Sequence, residues 1–220
     1  MIGKRKSFKR AIPAFGLVLV ASLALGAIGV ASASAATQHW YVGGTKLAEG
    51  TKTNVTLKGT TNFYFAWTNG SSTWEAKCTS QTGESTIENP TGGKAGTYAA
   101  SGTSLSGCTR VRPAGVKGCQ IPGGTIYLGA YGADTEFESK SAVEFLPVGG
   151  SFADFWLDEC PGGVGHIIIS GSFTGIANNA TSSLEFTKAS SSLIVFAHPA
   201  TLVGTSKLET TGGQTVTVAP

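Results

Sequence analysis

The side chains with the clearest chemical potential are acids in the second half of the 220-residue chain. Asp134, Glu136 and Glu138 occupy alternate positions, so an extended strand would place their three carboxylates on one face. Three further acids follow closely, at Asp154, Asp158 and Glu159. Carboxylate oxygens are the ligands that calcium prefers, and a pair of carboxylates can hydrolyse a glycosidic bond. These acids therefore suggest a calcium site at Asp134, Glu136 and Glu138, or a glycoside hydrolase that uses acids between residues 134 and 159.

A simpler interpretation treats the same acids as surface charges. Seven of the thirteen acids lie between Asp134 and Glu159, where Lys140 is the only base. The stretch from Lys94 to Lys117 carries four bases and no acid. Two such stretches can attract each other in solvent, or their charges can protect a strand edge from aggregation. We favour this interpretation, which needs no cofactor, over calcium binding and over catalysis.

Other signatures of catalysis are missing from the sequence. The three histidines, His39, His166 and His198, stand in no spacing that is typical of a metal site. No Gly-x-Ser-x-Gly motif marks a nucleophilic serine, although a triad could still assemble from distant residues. The sequence therefore favours a protein that is not an enzyme.

Aromatic residues offer a binding surface instead. Trp40, Tyr41 and Trp156 could form a platform on which a sugar ring stacks. Trp67 and Trp74 are assigned to the core, because they fall on the inward face of a predicted hairpin. The predicted partner is therefore an extracellular ligand, such as a glycan or a component of the cell envelope.

Four cysteines, Cys78, Cys108, Cys119 and Cys160, point to disulfides. Their spacings of 30, 11 and 41 residues do not supply the two close pairs of a structural zinc site. An even count in an exported chain is typical of two disulfides. A turn at Pro113-Ala114 would set Cys108 opposite Cys119 and leave Cys78 to pair with Cys160, which is the pairing we prefer. Pairing of Cys78 with Cys108 and of Cys119 with Cys160 is nearly as well supported, because the preferred register sets two like charges opposite each other.

The first 36 residues have the three-part pattern of a secretory signal peptide. Five bases lie in the first ten residues, a largely apolar run extends from Ala11 to Val30, and small residues follow at 31–36. We expect cleavage near Ala36 or Thr37, so that residues 37–220 form a single secreted β domain. An uncleaved membrane anchor is the alternative, since about 20 apolar residues can span a bilayer.

The charge of the predicted mature domain argues against nucleic acid as a partner. The whole chain has a net charge of +3, but five of its sixteen bases belong to the leader. Eleven bases then face thirteen acids. A nucleic-acid-binding protein needs a clustered basic surface, which this distribution does not provide. We also expect no membrane attachment after cleavage, because no second apolar span follows the leader.

Short strands are the elements that would position these side chains. Beyond residue 40, alternating apolar segments are separated by Gly, Asn, Ser and Thr, and no helical repeat is found. Thr61–Trp67 and Ser72–Cys78 flank an Asn-Gly turn, which predicts a hairpin that pairs Phe65 with Trp74. Further strands are predicted at Lys52–Leu57, Thr97–Leu105, Thr125–Tyr131, Ala142–Pro147, Phe152–Leu157, His166–Ile176, Ser183–Lys188, Ser192–Ala197, Lys207–Glu209 and Gln214–Val218. The pattern is typical of an all-β fold, either an antiparallel β-sandwich or a barrel, here with two disulfides.

Four segments of the predicted mature domain resemble a group of secreted actinobacterial proteins of unknown function. The segments are Glu88–Gly93, Gly107–Thr109, Gly118–Ile121 and Val203–Val218. The resemblance spans most of the predicted mature domain. It implies an exported protein of a high-GC bacterium and carries no activity with it. We therefore expect a secreted binding or structural module of the extracellular space or cell envelope, with a carbohydrate-active protein as the alternative.

Overall fold

A computed structural model describes residues 38–89, 91, 97–115, 118–128, 133–139, 142–147, 150–160 and 165–219, with main chain alone at 97–102 and 133–139. The predicted signal peptide lies outside these ranges. Among the described residues, no helix has the length and the apolar character needed to span a bilayer.

The described residues form sixteen strands and a single 3-10 turn at Pro122–Gly124. Every pairing between strands is antiparallel, so the predicted fold class is confirmed. The strands are β1 (His39–Val42), β2 (Thr45–Lys46), β3 (Lys52–Gly59), β4 (Phe63–Asn69), β5 (Ser72–Cys78), β6 (Ser80–Glu88), β7 (Thr97–Ser106), β8 (Thr109–Arg112), β9 (Thr125–Leu128), β10 (Ala133–Ser139), β11 (Ala142–Pro147), β12 (Ala153–Trp156), β13 (His166–Asn178), β14 (Ser183–Val195), β15 (His198–Thr210) and β16 (Val216–Ala219).

Eight of the strands close into a barrel. Their order is β13, β12, β9, β7, β6, β3, β15 and β14, and β14 pairs back onto β13. Each of the eight strands therefore has a partner on both sides. Closure of this kind protects a β protein from pairing edge to edge with other chains.

Three strands of 13 residues, β13, β14 and β15, run the length of the barrel. β15 pairs with β4 through Ala200–Val203 and with β3 through Ser206–Thr210. β13 pairs in the same way with β12 through its first residues and with β11 further along. Two branches therefore leave the barrel, one made of β4, β5 and β8 and the other of β11 and β10.

Aromatic rings dominate the interior of the barrel. Phe145 stacks on Phe173 with 4.7 Å between ring centroids, and Phe186 meets Phe173 edge-on at 5.3 Å. Glycine makes room for the rings, because a Cβ atom on Gly204 would overlap the ring of Phe63. Fully burying a ring of this size stabilises a fold by about 1.5–3 kcal/mol.

The predicted hairpin is present as β4 and β5, with a register that differs by two. The structure pairs Phe65 with Ala76 and Trp67 with Trp74, where the sequence predicted Phe65 opposite Trp74. Both registers keep the same residues on the inward face, because side chains alternate with a period of two. Phe65, Trp67 and Trp74 are accordingly buried, as predicted.

The first disulfide joins Cys78 to Cys108. The preferred pairing of Cys108 with Cys119 is therefore wrong. β8 pairs with β5 in a register that sets Lys77 opposite Thr109. That register brings Cys78 beside Cys108.

The second disulfide joins Cys119 to Cys160, so the alternative connectivity is confirmed. It lies beside a main-chain bridge that is one residue from Cys119 and two residues from Cys160. Gln120 and Asp158 exchange two hydrogen bonds, of 2.9 and 2.8 Å between nitrogen and oxygen. The bridge holds the segment before the 3-10 turn against the end of β12.

The two ends of the described chain meet in a small separate sheet of β16, β1 and β2. His39 of β1 lies opposite Ala219 of β16 and is buried. Burial lowers the pKa of His39, Lys46 lowers it further, and Glu49 acts in the opposite direction. The imidazole is therefore held in its neutral form more strongly than a free histidine.

Candidate functional site

The outer side of β9, β12, β13 and β14 carries an unusual concentration of exposed apolar side chains. Five large apolar residues there expose between 44% and 60% of their surface: Tyr127, Trp156, Ile168, Ile194 and Phe196. Asp154 and His166 lie among them. We call these seven residues the aromatic face.

Strand register brings the members of the aromatic face together. Asp154 of β12 lies opposite Tyr127 of β9 on one side and opposite Ile168 of β13 on the other. Trp156 lies opposite His166, one step further along the same two strands. Ile194 and Phe196 extend the surface on and just beyond the end of β14.

Alternation explains why these side chains point outward. On β12, Ala153 and Phe155 are buried in the barrel. Asp154 and Trp156 occupy the alternate positions and therefore face solvent. On β13 the central isoleucine of the run at 167–169 is exposed while its two neighbours are buried. The exposure of Trp156 is therefore set by the phase of a strand whose other side is core.

The indole ring of Trp156 stacks on the imidazole ring of His166 of β13. Its ring is nearly parallel to that of His166, with 4.7 Å between centroids and 10° between planes. Gly165 lies under the edge of the indole, since a Cβ atom there would come within 3.2 Å of Cζ3. One π-face of Trp156 is covered in this way, while the residue as a whole remains 55% exposed.

Asp154 and His166 form a polar pair beside the indole. The distance from His166 Nε2 to Asp154 Oδ2 is 3.5 Å, and both side chains are more than a third exposed. A pair as exposed as this one contributes little to stability. Its carboxylate and imidazole retain hydrogen-bonding capacity for a ligand.

The three predicted aromatic residues do not form one platform. Trp40 is fully buried in β1, so it cannot stack on an external ligand. Tyr41 is half-buried on the same strand and lies in the separate small sheet. Trp156 alone belongs to the aromatic face. Its neighbours there were missed because Tyr127, Ile168 and Ile194 look like ordinary strand residues until the phase of each strand is known.

The predicted calcium ligands lie on β10. Asp134 and Glu136 are opposite Leu146 and Glu144 of β11, but the side chains of β10 lie outside the described part of the structure. Within the side chains that are described, no three acids, histidines or cysteines come close enough to hold a metal. The calcium site therefore stays a prediction.

Asp154 and Asp158 are the predicted acids nearest to Trp156. Asp154 lies on β12, whereas Asp158 lies two residues beyond its end, bridged to Gln120. A glycoside hydrolase needs two carboxyl groups flanking one bond. Asp154 is the single acid among the seven residues of the aromatic face, so these residues do not supply that pair.

Two shallow grooves lie elsewhere, where β4 branches from β15. They enclose about 570 and 400 Å³ and share Glu185 and Thr205 in their linings. The larger one is lined mainly by hydroxyl groups, with Lys207 as its base. Glu185 is the single acid in either lining, so neither groove offers a pair of carboxylates.

Comparison with known proteins gave no match among protein-family models, curated proteins or solved structures. The resemblance to secreted actinobacterial proteins therefore stays a prediction.

Proposed function

We propose that this protein is a secreted binding module that acts outside the cell or in the cell envelope, and that its ligand binds the aromatic face. Two disulfides indicate an oxidising environment, which supports a place outside the cytoplasm. The signal-peptide pattern of residues 1–36 supports export by the same reasoning.

The observation that carries the proposal is the exposure of five large apolar side chains on one side of a well-packed barrel. Each of these side chains is about half exposed, so burying the rest of it would gain about half of the 1.5–3 kcal/mol that full burial of a large apolar side chain contributes. Contiguous apolar patches on soluble proteins commonly mark binding surfaces, whereas single exposed apolar residues need no explanation. The fold does not require these residues, because their strands are held by the opposite, buried side.

Two isoleucines of β13 provide a matched test. Ile168 belongs to the aromatic face and is 49% exposed, whereas Ile176 lies eight residues further along the same strand and is 40% exposed. The protein is expressed with its own leader and purified after export. It is then mixed with envelope fragments, and separately with concentrated culture medium, of the organism that naturally makes it. Binding is followed by sedimentation and by size-exclusion chromatography.

We expect the wild-type protein to bind one of these fractions, and Ile168→Ser to weaken binding about tenfold. Ile176→Ser should bind as the wild type does. Equal loss in the two variants, or no binding of the wild-type protein to either fraction, would contradict the proposal. Melting temperatures within a few degrees of the wild type confirm that both variants are folded.

A further inference from the structure

We infer that the ligand of the aromatic face is a carbohydrate, with a sugar ring stacked on Trp156 and its hydroxyl groups bound by Asp154 and His166. This inference rests on the proposed function, because it names the ligand class of the same surface.

The geometry of Trp156 supports stacking of a sugar ring. Its indole stacks on the His166 ring and has Gly165 close to its edge, so these contacts orient it before a ligand arrives. The face of an aromatic ring carries negative charge density, and the C–H groups on one side of a sugar ring carry partial positive charge. A flat and preorganised indole loses little conformational freedom when such a ring stacks on it.

The polar groups beside the indole can bind the hydroxyl groups of the sugar. Asp154 accepts hydrogen bonds, and charge-assisted bonds from hydroxyl groups are among the stronger ones. The 3.5 Å contact to His166 holds the carboxylate near the indole while leaving it more than a third exposed. Tyr127, opposite Asp154 on β9, adds a phenol that can both donate and accept. Sugars present hydroxyl groups and an apolar ring side within a few ångströms, which matches this arrangement.

A protein partner fits the same surface less well. The centre of a protein–protein interface is depleted of charged residues, because burying a charge without a partner is costly. Here Asp154 and His166 lie between Tyr127, Trp156 and Ile168, and hydroxyl groups of a sugar would keep them hydrogen-bonded. An anionic lipid surface is also a poor match, because no member of the aromatic face is a lysine or an arginine.

Chemical treatment of the bound fraction separates these ligand classes. Envelope fragments or medium that bind the wild-type protein are treated with periodate, which cleaves vicinal diols of sugars, with a broad-specificity protease, or with an organic solvent that extracts lipids. Binding is then measured for the wild type, Trp156→Ala, Trp156→Phe and Tyr64→Ala. Tyr64 is a half-buried aromatic residue on β4, outside the aromatic face, and serves as the control.

We expect binding to be abolished by periodate and to survive the protease and the solvent. Trp156→Ala should weaken binding about tenfold, Trp156→Phe should retain part of it, and Tyr64→Ala should leave it unchanged. Binding that survives periodate but is lost after protease or solvent overturns the carbohydrate inference and leaves the binding module standing. If the wild-type protein binds neither fraction before treatment, the proposed function itself fails.

Discussion

Asn89 links two parts of the fold through its side chain, and replacing it should destabilise the protein. Its side chain is fully buried directly after β6 and makes three hydrogen bonds to the hairpin of β1 and β2. Oδ1 accepts from the main-chain N–H of Trp40 at 2.8 Å, while Nδ2 donates to the carbonyl oxygens of Trp40 at 3.0 Å and of Leu47 at 2.8 Å. The amide therefore fastens the small terminal sheet to a barrel strand.

Asn89→Ala removes all three bonds in a place that water does not reach. At about 1 kcal/mol for each bond, and more where a buried group loses its partner, we expect a loss of about 3–4 kcal/mol in the free energy of unfolding. Urea denaturation measures this loss as a lower midpoint with an unchanged slope. Asn54→Ala is the control, because the side chain of Asn54 is exposed and accepts a single bond, from Thr86. The control should lie within about 0.5 kcal/mol of the wild type.

Asn89→Asp tests the direction of the bonds. The new carboxylate can still accept from Trp40 but faces two carbonyl oxygens, so burial and these oxygens should raise its pKa above that of an unfolded aspartate. The folded state then binds a proton more tightly than the unfolded state, and the deficit relative to the wild type should shrink as the pH falls from about 7 towards 4. A loss below about 1 kcal/mol in Asn89→Ala, or a pH-independent deficit in Asn89→Asp, would refute this account.

Three further predictions concern separate parts of the fold. Replacing Cys78 and Cys108 together by serine should cost about 3–4 kcal/mol in urea denaturation, from the 30-residue separation of the cysteines; a loss under 1 kcal/mol would show that the unfolded chain is already compact there. Because burial lowers the pKa of His39, the free energy of unfolding of the wild type should fall as the pH drops through about 6.5. His39→Gln should remove that part of the pH dependence, and an unchanged pH profile in this variant would contradict the prediction. Gly204→Ala should cost about 1–3 kcal/mol by pressing a methyl group against Phe63, which thermal melting would detect; a neutral result would mean that the ring can move aside.

Alternation along the chain was enough to predict most of the barrel strands. It found the barrel strands β3, β7, β12 and β13 to within two residues at each end, and it placed β11, which lies in a branch, at its observed bounds. It missed β6, because Ser80–Glu88 is largely polar and contains a glycine. That strand is held by β3 on one side and β7 on the other, and pairing between distant strands leaves no local mark in a polar sequence.

The disulfides show a second limit of local reasoning. Cys108 and Cys119 are close in sequence, and a hairpin between them is a reasonable local expectation. The structure instead pairs β8 with β5, which lies about 30 residues earlier in the chain. The local sequence supports the turn and the distant pairing about equally well, so it cannot choose between them. Tertiary packing makes that choice.

The candidate site is predictable only in part, for a related physical reason. Trp67 and Trp156 are the same residue type in similar alternating segments, yet one lies in the core and the other on the surface. What separates them is which side of the strand the barrel covers, and that is decided by Phe155 and its neighbours across β9 and β13. Once Phe155 is buried, Asp154 and Trp156 have to face outward together. The carboxylate and the indole are thus brought to one surface by the packing of the core, so the surface that we propose binds sugar is a direct consequence of the fold.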